Sequence, residues 1–144
     1  MKANKGNSSE AVIRFSRGVF QLLAWAFVLS VGLQTLLAGM AIFQDPGHWS
    51  KHTSFVHIIE FIPILMFLLA FPAKWPAGLK LQSAGLFLMI FAQYMTAHLS
   101  AAGPLHPVIA LLLFWLSIIT ARQSSRLGRS DGAEVKAGGS GHRS

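Results

Sequence analysis

One stretch decides the fold of this chain: residues 19–43 read VFQLLAWAFVLSVGLQTLLAGMAIF and contain no charged side chain. A helix crosses a hydrocarbon core of about 30 Å with roughly 17–25 residues, so this stretch is long enough to span a membrane. It is also too long for the apolar core of a signal peptide, which has about 7–15 residues. We therefore predict a membrane anchor that is retained in the protein.

Three further apolar stretches follow, and together they predict an all-α bundle of four transmembrane helices. Of the 144 residues 53% are hydrophobic and only 12% are charged, whereas a soluble domain usually has about 25% charged residues. Glu60 is the one charged residue within these three stretches. Because helices that are apolar on all sides leave no polar face for water, we set aside the alternative of a globular helical domain.

Turn signals and polar segments define the boundaries of this bundle. Residues 45–47, Asp-Pro-Gly, mark a first outer loop, and short connections predict an up-down-up-down order. Pro63 lies inside the second span, where it is expected to free the carbonyl group of Ile59 and to bend the helix. The predicted spans are residues 19–43, 53–71, 81–99 and 105–121, within a membrane domain of residues 15–122.

Both ends of the chain are polar. Residues 1–14 and 123–144 are rich in small and charged residues and have little apolar surface to bury, so we predict disordered segments there. All but one of the 12 Lys and Arg residues fall on the side of the membrane that holds these two segments, and the exception is Lys51. The positive-inside rule therefore predicts a multi-pass protein of the cytoplasmic membrane with both termini in the cytoplasm.

Composition also excludes several classes of function. The net charge of +7 is compatible with nucleic-acid binding, but the basic residues flank the spans and lack interleaved aromatic residues, so the expected partner is the lipid bilayer. The chain has no cysteine, and hence no disulfide and no thiolate ligand. We find no Ser-His-Asp arrangement, no phosphate-binding loop and no pair of carboxylates at membrane depth. An enzyme is therefore not the expected class.

A short internal similarity divides the bundle into two halves. Gln34 begins the pattern Gln-x-x-x-Ala-Gly in the first span, and Gln93 begins Gln-x-x-x-Ala-His in the third. An outer loop follows each pattern, and then a helix with a histidine near its start, which is His57 in one half and His106 in the other. The pattern favours two related helical hairpins, with unrelated apolar helices as the alternative.

Polar side chains converge in the outer half of the predicted bundle. Ionisable residues are rare at membrane depth and usually mark a functional site. His52 precedes His57 by five residues, which is about 140° around a helix axis, and the sequence leaves open whether it belongs to the helix or to the loop. The cluster is predicted to contain Gln34, His57, Glu60, Gln93, Tyr94, His98 and His106.

This cluster favours a single b-type haem that takes part in electron transfer. Two imidazole groups on facing helices are a common axial ligand pair for haem iron. We predict His57 and His106 as the iron ligands and His98 as the alternative partner. Because no second group of histidines lies on the cytoplasmic side, such a haem would exchange electrons only with the outer side, with a quinone or with a membrane redox partner. The residues predicted to surround the ligands are Gln34, Glu60, Gln93 and Tyr94.

Two other interpretations of the cluster stay open. Three or more imidazoles, together with Glu60, could bind zinc or copper, although no closely spaced histidine pair marks such a site. The histidines could instead be structural: His106 would cap a helix, His57 would pair with Glu60, and the glutamines would bond across helices. The protein would then be a non-catalytic membrane subunit or scaffold.

The order of these motifs resembles that of a known family. Gln34-x-x-x-Ala-Gly, His52, His57, Gln93 and the Leu-His-Pro-Val sequence at residues 105–108 are similar to an uncharacterised bacterial family of small four-helix membrane proteins, known as a domain of unknown function. The resemblance covers about residues 15–122. It implies an integral protein of the bacterial inner membrane and supplies no activity. The layout is also loosely similar to that of membrane b-type cytochromes.

Overall fold

The computed structural model describes the backbone of residues 3–140 and the side chains of residues 8–130. This part of the chain has no strand and confirms the predicted all-α fold. A short 3-10 helix at Ser100–Ala102 precedes the last of five α-helices. The helices are α1 (Ala3–Phe43), α2 (His48–Ile59), α3 (Phe61–Leu69), α4 (Ala77–His98) and α5 (Leu105–Ser140).

Helices α2 and α3 form one rod that is broken at Glu60. The backbone N–H of Glu60 still donates to the carbonyl of Val56 at 3.0 Å, and α3 begins at the next residue. Pro63 lies in the first turn of α3 and has no N–H to donate to the carbonyl of Ile59, four residues earlier. The helix is thus interrupted next to Ile59, where the sequence predicts a bend, and α1, the broken rod, α4 and α5 are the four members of the bundle.

Polar contacts between helices show that the four members alternate in direction. The Nε atom of Arg17 on α1 donates to the carbonyl of Ala73, in the turn between α3 and α4, at 2.9 Å. The Nε2 atom of Gln21 donates to the carbonyl of Ser124 on α5, also at 2.9 Å. The start of α1, the turn after α3 and the later part of α5 thus lie together. We call this the basic end of the bundle, and the opposite one the histidine end.

The turn at the basic end closes tightly around Trp75. Its ring lies edge-on to Phe20 at a centroid distance of 6.0 Å, and the guanidinium carbon of Arg17 is 4.6 Å from its centroid. Lys74 has a φ of 51°, and the N–H of Trp75 donates to the carbonyl of Ala70 at 3.1 Å. A left-handed residue followed by this bond is the usual way in which a helix ends before a sharp turn.

The core is narrow, and most large apolar side chains point outward. Phe20, Phe27, Met66, Leu79 and Leu86 are fully buried between the helices. Several leucines and phenylalanines on the outer faces are more than half exposed, which forms an apolar surface of the kind that lipid covers. The small polar residues of the interior are fully or almost fully buried; they are Ser83, Ser117, Thr120 and Ser124.

Three segments of the described chain are long and apolar enough to cross a membrane. They are Ser8–Phe43, His48–Leu69 and Leu105–Ser130. Helix α4, which contains the third predicted span, has 22 residues and is therefore long enough, but it is not in this set. Its glutamines and other polar residues lower its hydropathy. The four-helix bundle is confirmed, with three of its members apolar enough to span a bilayer by themselves.

The structure differs from the sequence prediction at the helix ends. Helix α2 begins at His48, so both His48 and His52 are helical.

Helix α1 begins at Ala3, and α5 runs past the predicted span, so residues 123–130 are helical and not disordered. Ser124 is 0% exposed because it packs against α1, which explains the longer helix. Residues 141–144, and the side chains from residue 131 onward, belong to the predicted tail and lie outside the described residues.

Candidate functional site

A cavity of about 560 Å³ lies at the histidine end, among α1, α2, α4 and α5. This volume falls within the range of roughly 300–1,000 Å³ that is usual for small-molecule sites. The walls are mainly apolar, and the polar side chains among them are Gln34, Thr35, His52, Gln93 and His106. A mostly apolar cavity with a few polar groups is the usual form of a ligand or cofactor site.

Part of the lining of the cavity reaches the outer surfaces of α1 and α5. Gly32 and Thr35 on α1 and Leu111 and Phe114 on α5 line it, and all four are exposed. Their exposed surfaces lie on the outside of the bundle, within two segments that are apolar enough to cross a membrane.

His52 is held by a reciprocal pair of hydrogen bonds with Gln34. The Nδ1 atom of His52 lies 3.1 Å from the backbone carbonyl of Gln34, and the Nε2 atom of Gln34 donates to the backbone carbonyl of His52 at 3.1 Å. Because a carbonyl oxygen can only accept, Nδ1 carries the proton in the neutral ring. Nε2 of His52 is then the nitrogen with a free lone pair.

Gln93 and His106 form the corresponding pair in the second half of the bundle. The Nδ1 atom of His106 lies 3.2 Å from the backbone carbonyl of Gln93 and 3.2 Å from the hydroxyl of Thr96. The side-chain amide of Gln93 has its best partners when its nitrogen faces His106. It then donates to the carbonyl of His106 at 3.0 Å, and its oxygen accepts from the N–H of Ala110 at 2.8 Å.

The proton of His106 has two alternative positions. With the proton on Nδ1, the ring donates to the carbonyl of Gln93, and Nε2 has a free lone pair. With the proton on Nε2, the amide nitrogen of Gln93 donates to Nδ1, from which it is 2.9 Å away. The first arrangement makes His106 a metal ligand, and the second makes it a hydrogen-bond donor.

The two pairs correct the internal correspondence predicted from sequence. His52, not His57, occupies the position equivalent to His106, because each ring contacts the backbone carbonyl of a glutamine whose amide donates to the carbonyl of the histidine. The sequence obscured this match because the two members of a pair are 18 residues apart in the first hairpin and 13 in the second. The turn signal at residues 45–47 was the available clue, since a helix that starts directly after it contains His52.

His57 lies outside the cavity, in a second polar cluster with Glu60 and Tyr94. The hydroxyl of Tyr94 donates to Oε2 of Glu60 at 2.5 Å and lies 3.1 Å from Nδ1 of His57. His57 is 3.8 Å from the carboxylate of Glu60, as its structural interpretation predicts, and its ring stacks on Tyr94 at a centroid distance of 5.9 Å. The side chain of His57 is 65% exposed. The structure therefore does not bring the predicted ligand pair together, because His106 lines the cavity and His57 does not.

His98 is also separate from the cavity. It is the last residue of α4, its side chain is exposed, and its Nδ1 atom lies 2.8 Å from the carbonyl of Tyr94. The structure therefore does not place this predicted alternative ligand beside His106 in the cavity. Among the described residues, no three His, Asp or Glu side chains come close enough to hold a metal ion, which leaves the zinc or copper interpretation without a site.

One polar atom at the cavity has no partner. Gln34 is only 8% exposed, and its Oε1 atom forms no hydrogen bond in the described part of the chain, although its Nε2 atom is bonded to His52. An unpaired buried acceptor costs about 1–3 kcal/mol. A ligand that carries an O–H or N–H group would remove this cost.

A family model matches part of the chain. The family is described as a family of unknown function (DUF6220), and the match covers residues 34–103. The matched part runs from Gln34 through the whole of α4, so it includes His52 and Gln93 and ends before His106. The predicted similarity to an uncharacterised family is confirmed. No curated protein and no solved structure matches the chain.

Proposed function

We propose that this protein is an integral membrane protein that binds a single b-type haem through His52 and His106 and transfers electrons. The observation that carries the proposal is the reciprocal pairing of each histidine with a glutamine. Histidines that bind metals almost always donate their second ring N–H to a carbonyl, a carboxylate or water, which fixes the ring and directs the free lone pair to the metal. Both rings have a backbone carbonyl at the required position.

The cavity offers this group a matching donor set, because His52 on α2 and His106 on α5 both line it. The apolar walls, among them Phe27, Ile90 and Leu113, would surround a macrocycle and exclude water. When bound, haem would supply one-electron oxidation and reduction, with a potential set by its axial ligands and by burial.

The position of the cavity limits the partners of such a protein. All five histidines of the described residues belong to the histidine end, so the described part of the basic end has none. A second haem with two histidine ligands therefore has no site within residues 8–130. Electrons would be exchanged at the histidine end, with a redox partner on that side of the membrane or with a lipid-soluble quinone that approaches between α1 and α5.

An optical spectrum of the protein, purified from cells supplied with a haem precursor, tests the proposal. We expect a Soret band and the sharp visible bands of reduced low-spin b-type haem, with one haem per chain by pyridine haemochrome assay. Low-spin bands are expected because two imidazoles, those of His52 and His106, would hold the iron. A colourless protein without iron by elemental analysis would contradict the proposal and would favour structural histidines.

A quinol is the second candidate ligand for the same cavity, and two observations favour it. The unpaired Oε1 atom of Gln34 requires a hydrogen-bond donor, which a quinol hydroxyl supplies and haem iron does not. In the second proton arrangement, Nε2 of His106 would donate to the other oxygen of the ring. A colourless protein that binds a short-chain ubiquinol analogue, and binds it more weakly after Gln34→Leu, would support this candidate over haem.

The proposed location is the cytoplasmic membrane of a bacterium, with both termini in the cytoplasm. Its support is the charge asymmetry, because Lys51 is the only Lys or Arg near the histidine end in the described part of the chain. We expect a cytoplasm-dependent reporter fused after Ser144 to be active, and a periplasm-dependent reporter such as alkaline phosphatase to be inactive there. A fusion within the loop at residues 44–47 should give the opposite pattern. Reversed activities would place the histidine end in the cytoplasm.

A further inference from the structure

The basic end holds a groove on α5 that the proposed redox function does not use. It has a volume of about 350 Å³ and is lined by Ile119, Arg122, Gln123 and Arg126. Arg122 and Arg126 are one turn apart, so their side chains emerge on the same face of the helix. Both are exposed, and Ile119 lies three residues closer to the apolar part of the same segment.

The groove offers hydrogen-bond donors and no free side-chain acceptor. Neither Arg122 nor Arg126 forms a hydrogen bond or an ion pair with another described residue. The Oε1 atom of Gln123 accepts from the Nε2 atom of Gln82 on α4 at 2.8 Å, so its amide N–H groups are the part that stays available. None of the three acids with described side chains, Glu10, Asp45 and Glu60, lines the groove.

We infer that this groove binds the headgroup of an anionic phospholipid. Two guanidinium groups and an amide N–H match the oxygens of a phosphodiester, because arginine binds phosphate through paired, charge-assisted hydrogen bonds. Basic pockets on membrane helices at the polar boundary are suited to such headgroups. A lipid is favoured over free phosphate because Ile119 extends the groove toward the apolar part of α5, where an acyl chain would lie.

Native mass spectrometry of the full chain in detergent provides the test. Phosphatidylglycerol and phosphatidylcholine are titrated separately, and the bound lipid is counted at each concentration. We expect preferential retention of phosphatidylglycerol, and an affinity at least about tenfold lower in the double variant R122Q/R126Q, because charge-assisted bonds to the phosphate are lost. The matched control is R129Q, which removes one positive charge from an exposed position of α5 outside the groove.

The alternative outcomes are distinguishable from this one. The double variant removes two charges and R129Q removes one. If R129Q lowers the affinity for phosphatidylglycerol by as much per charge removed, the attraction is diffuse and electrostatic, and the inference is overturned. Equal retention of phosphatidylglycerol and phosphatidylcholine would also overturn the inference. Displacement of the lipid by millimolar inorganic phosphate would indicate a site for free phosphate. The haem spectrum is expected to be the same in all these variants, so the inference and the proposed function can fail independently.

Discussion

The variants His52→Ala and His106→Ala are each expected to eliminate the low-spin haem spectrum, whereas His57→Ala keeps it. Removal of either imidazole leaves the iron with at most one axial histidine, so bound haem becomes high-spin or is lost during purification. His57→Ala is a closely matched control, because it removes the same side chain from the same helix, five residues further along. The measurement is the reduced-minus-oxidised spectrum at equal protein concentration, together with haem content per chain.

Helix content and detergent-column elution of each variant separate loss of haem from loss of fold. An unchanged spectrum in His52→Ala, with loss only in His57→Ala, would restore the ligand pair that the sequence predicted and would contradict the site described above. His98→Ala provides a further control, because that ring lies at the exposed end of α4. We expect its spectrum to be that of the original protein.

Phe20→Ala is expected to lower the free energy of unfolding by about 3–5 kcal/mol, the usual cost of removing a buried phenylalanine ring. Phe20 is 0% exposed and packs edge-on against Trp75, whose ring also holds Arg17, so the loss would leave a cavity where α1 meets the turn after α3. The measurement is an unfolding titration with dodecyl sulfate in mixed micelles, followed by far-ultraviolet circular dichroism.

Phe15→Ala is the matched control for this prediction. Phe15 lies on the same helix, five residues earlier, and is 71% exposed, so its replacement is expected to change stability by less than about 0.5 kcal/mol. Equal losses in the two variants would mean that the outer face of α1 contributes as much to stability as the core. The packing of Phe20 against Trp75 would then not be the feature that joins α1 to the turn.

Several elements of the fold were predictable because one physical rule governs each of them. The lengths of the apolar stretches predicted the four members of the bundle, and the start of the last one at Leu105 agrees with α5. Pro63 predicted the break next to Ile59, because a proline inside a helix removes a backbone donor. Of the candidate site residues predicted from the sequence, Gln34, Gln93 and His106 line the cavity.

The ends of the helices were harder to predict. Polar composition favoured disorder from residue 123, but Gln123 and Ser124 form hydrogen bonds with α4 and α1 and continue the helix. These partners are 41 and 103 residues away in the chain, so no local pattern signals them. In the same way, the hydropathy of α4 is reduced by Gln82, which donates to Gln123 only in the assembled bundle. Ser83 also lowers it, although its hydroxyl bonds to the carbonyl of Leu79 within α4 itself.

The sequence by itself determined that this protein is a bundle of apolar helices, that all but one of its Lys and Arg residues lie on one side and that the histidines within the bundle lie toward the other. Only the tertiary structure decided that His52 faces the cavity and that His57 faces outward. The two rings are on one helix, about 140° apart around its axis, and the choice between them depends on how α2 is rotated against α1. In a soluble protein a polar face would reveal that rotation, but lipid is as apolar as the core, so a membrane helix carries little of this signal.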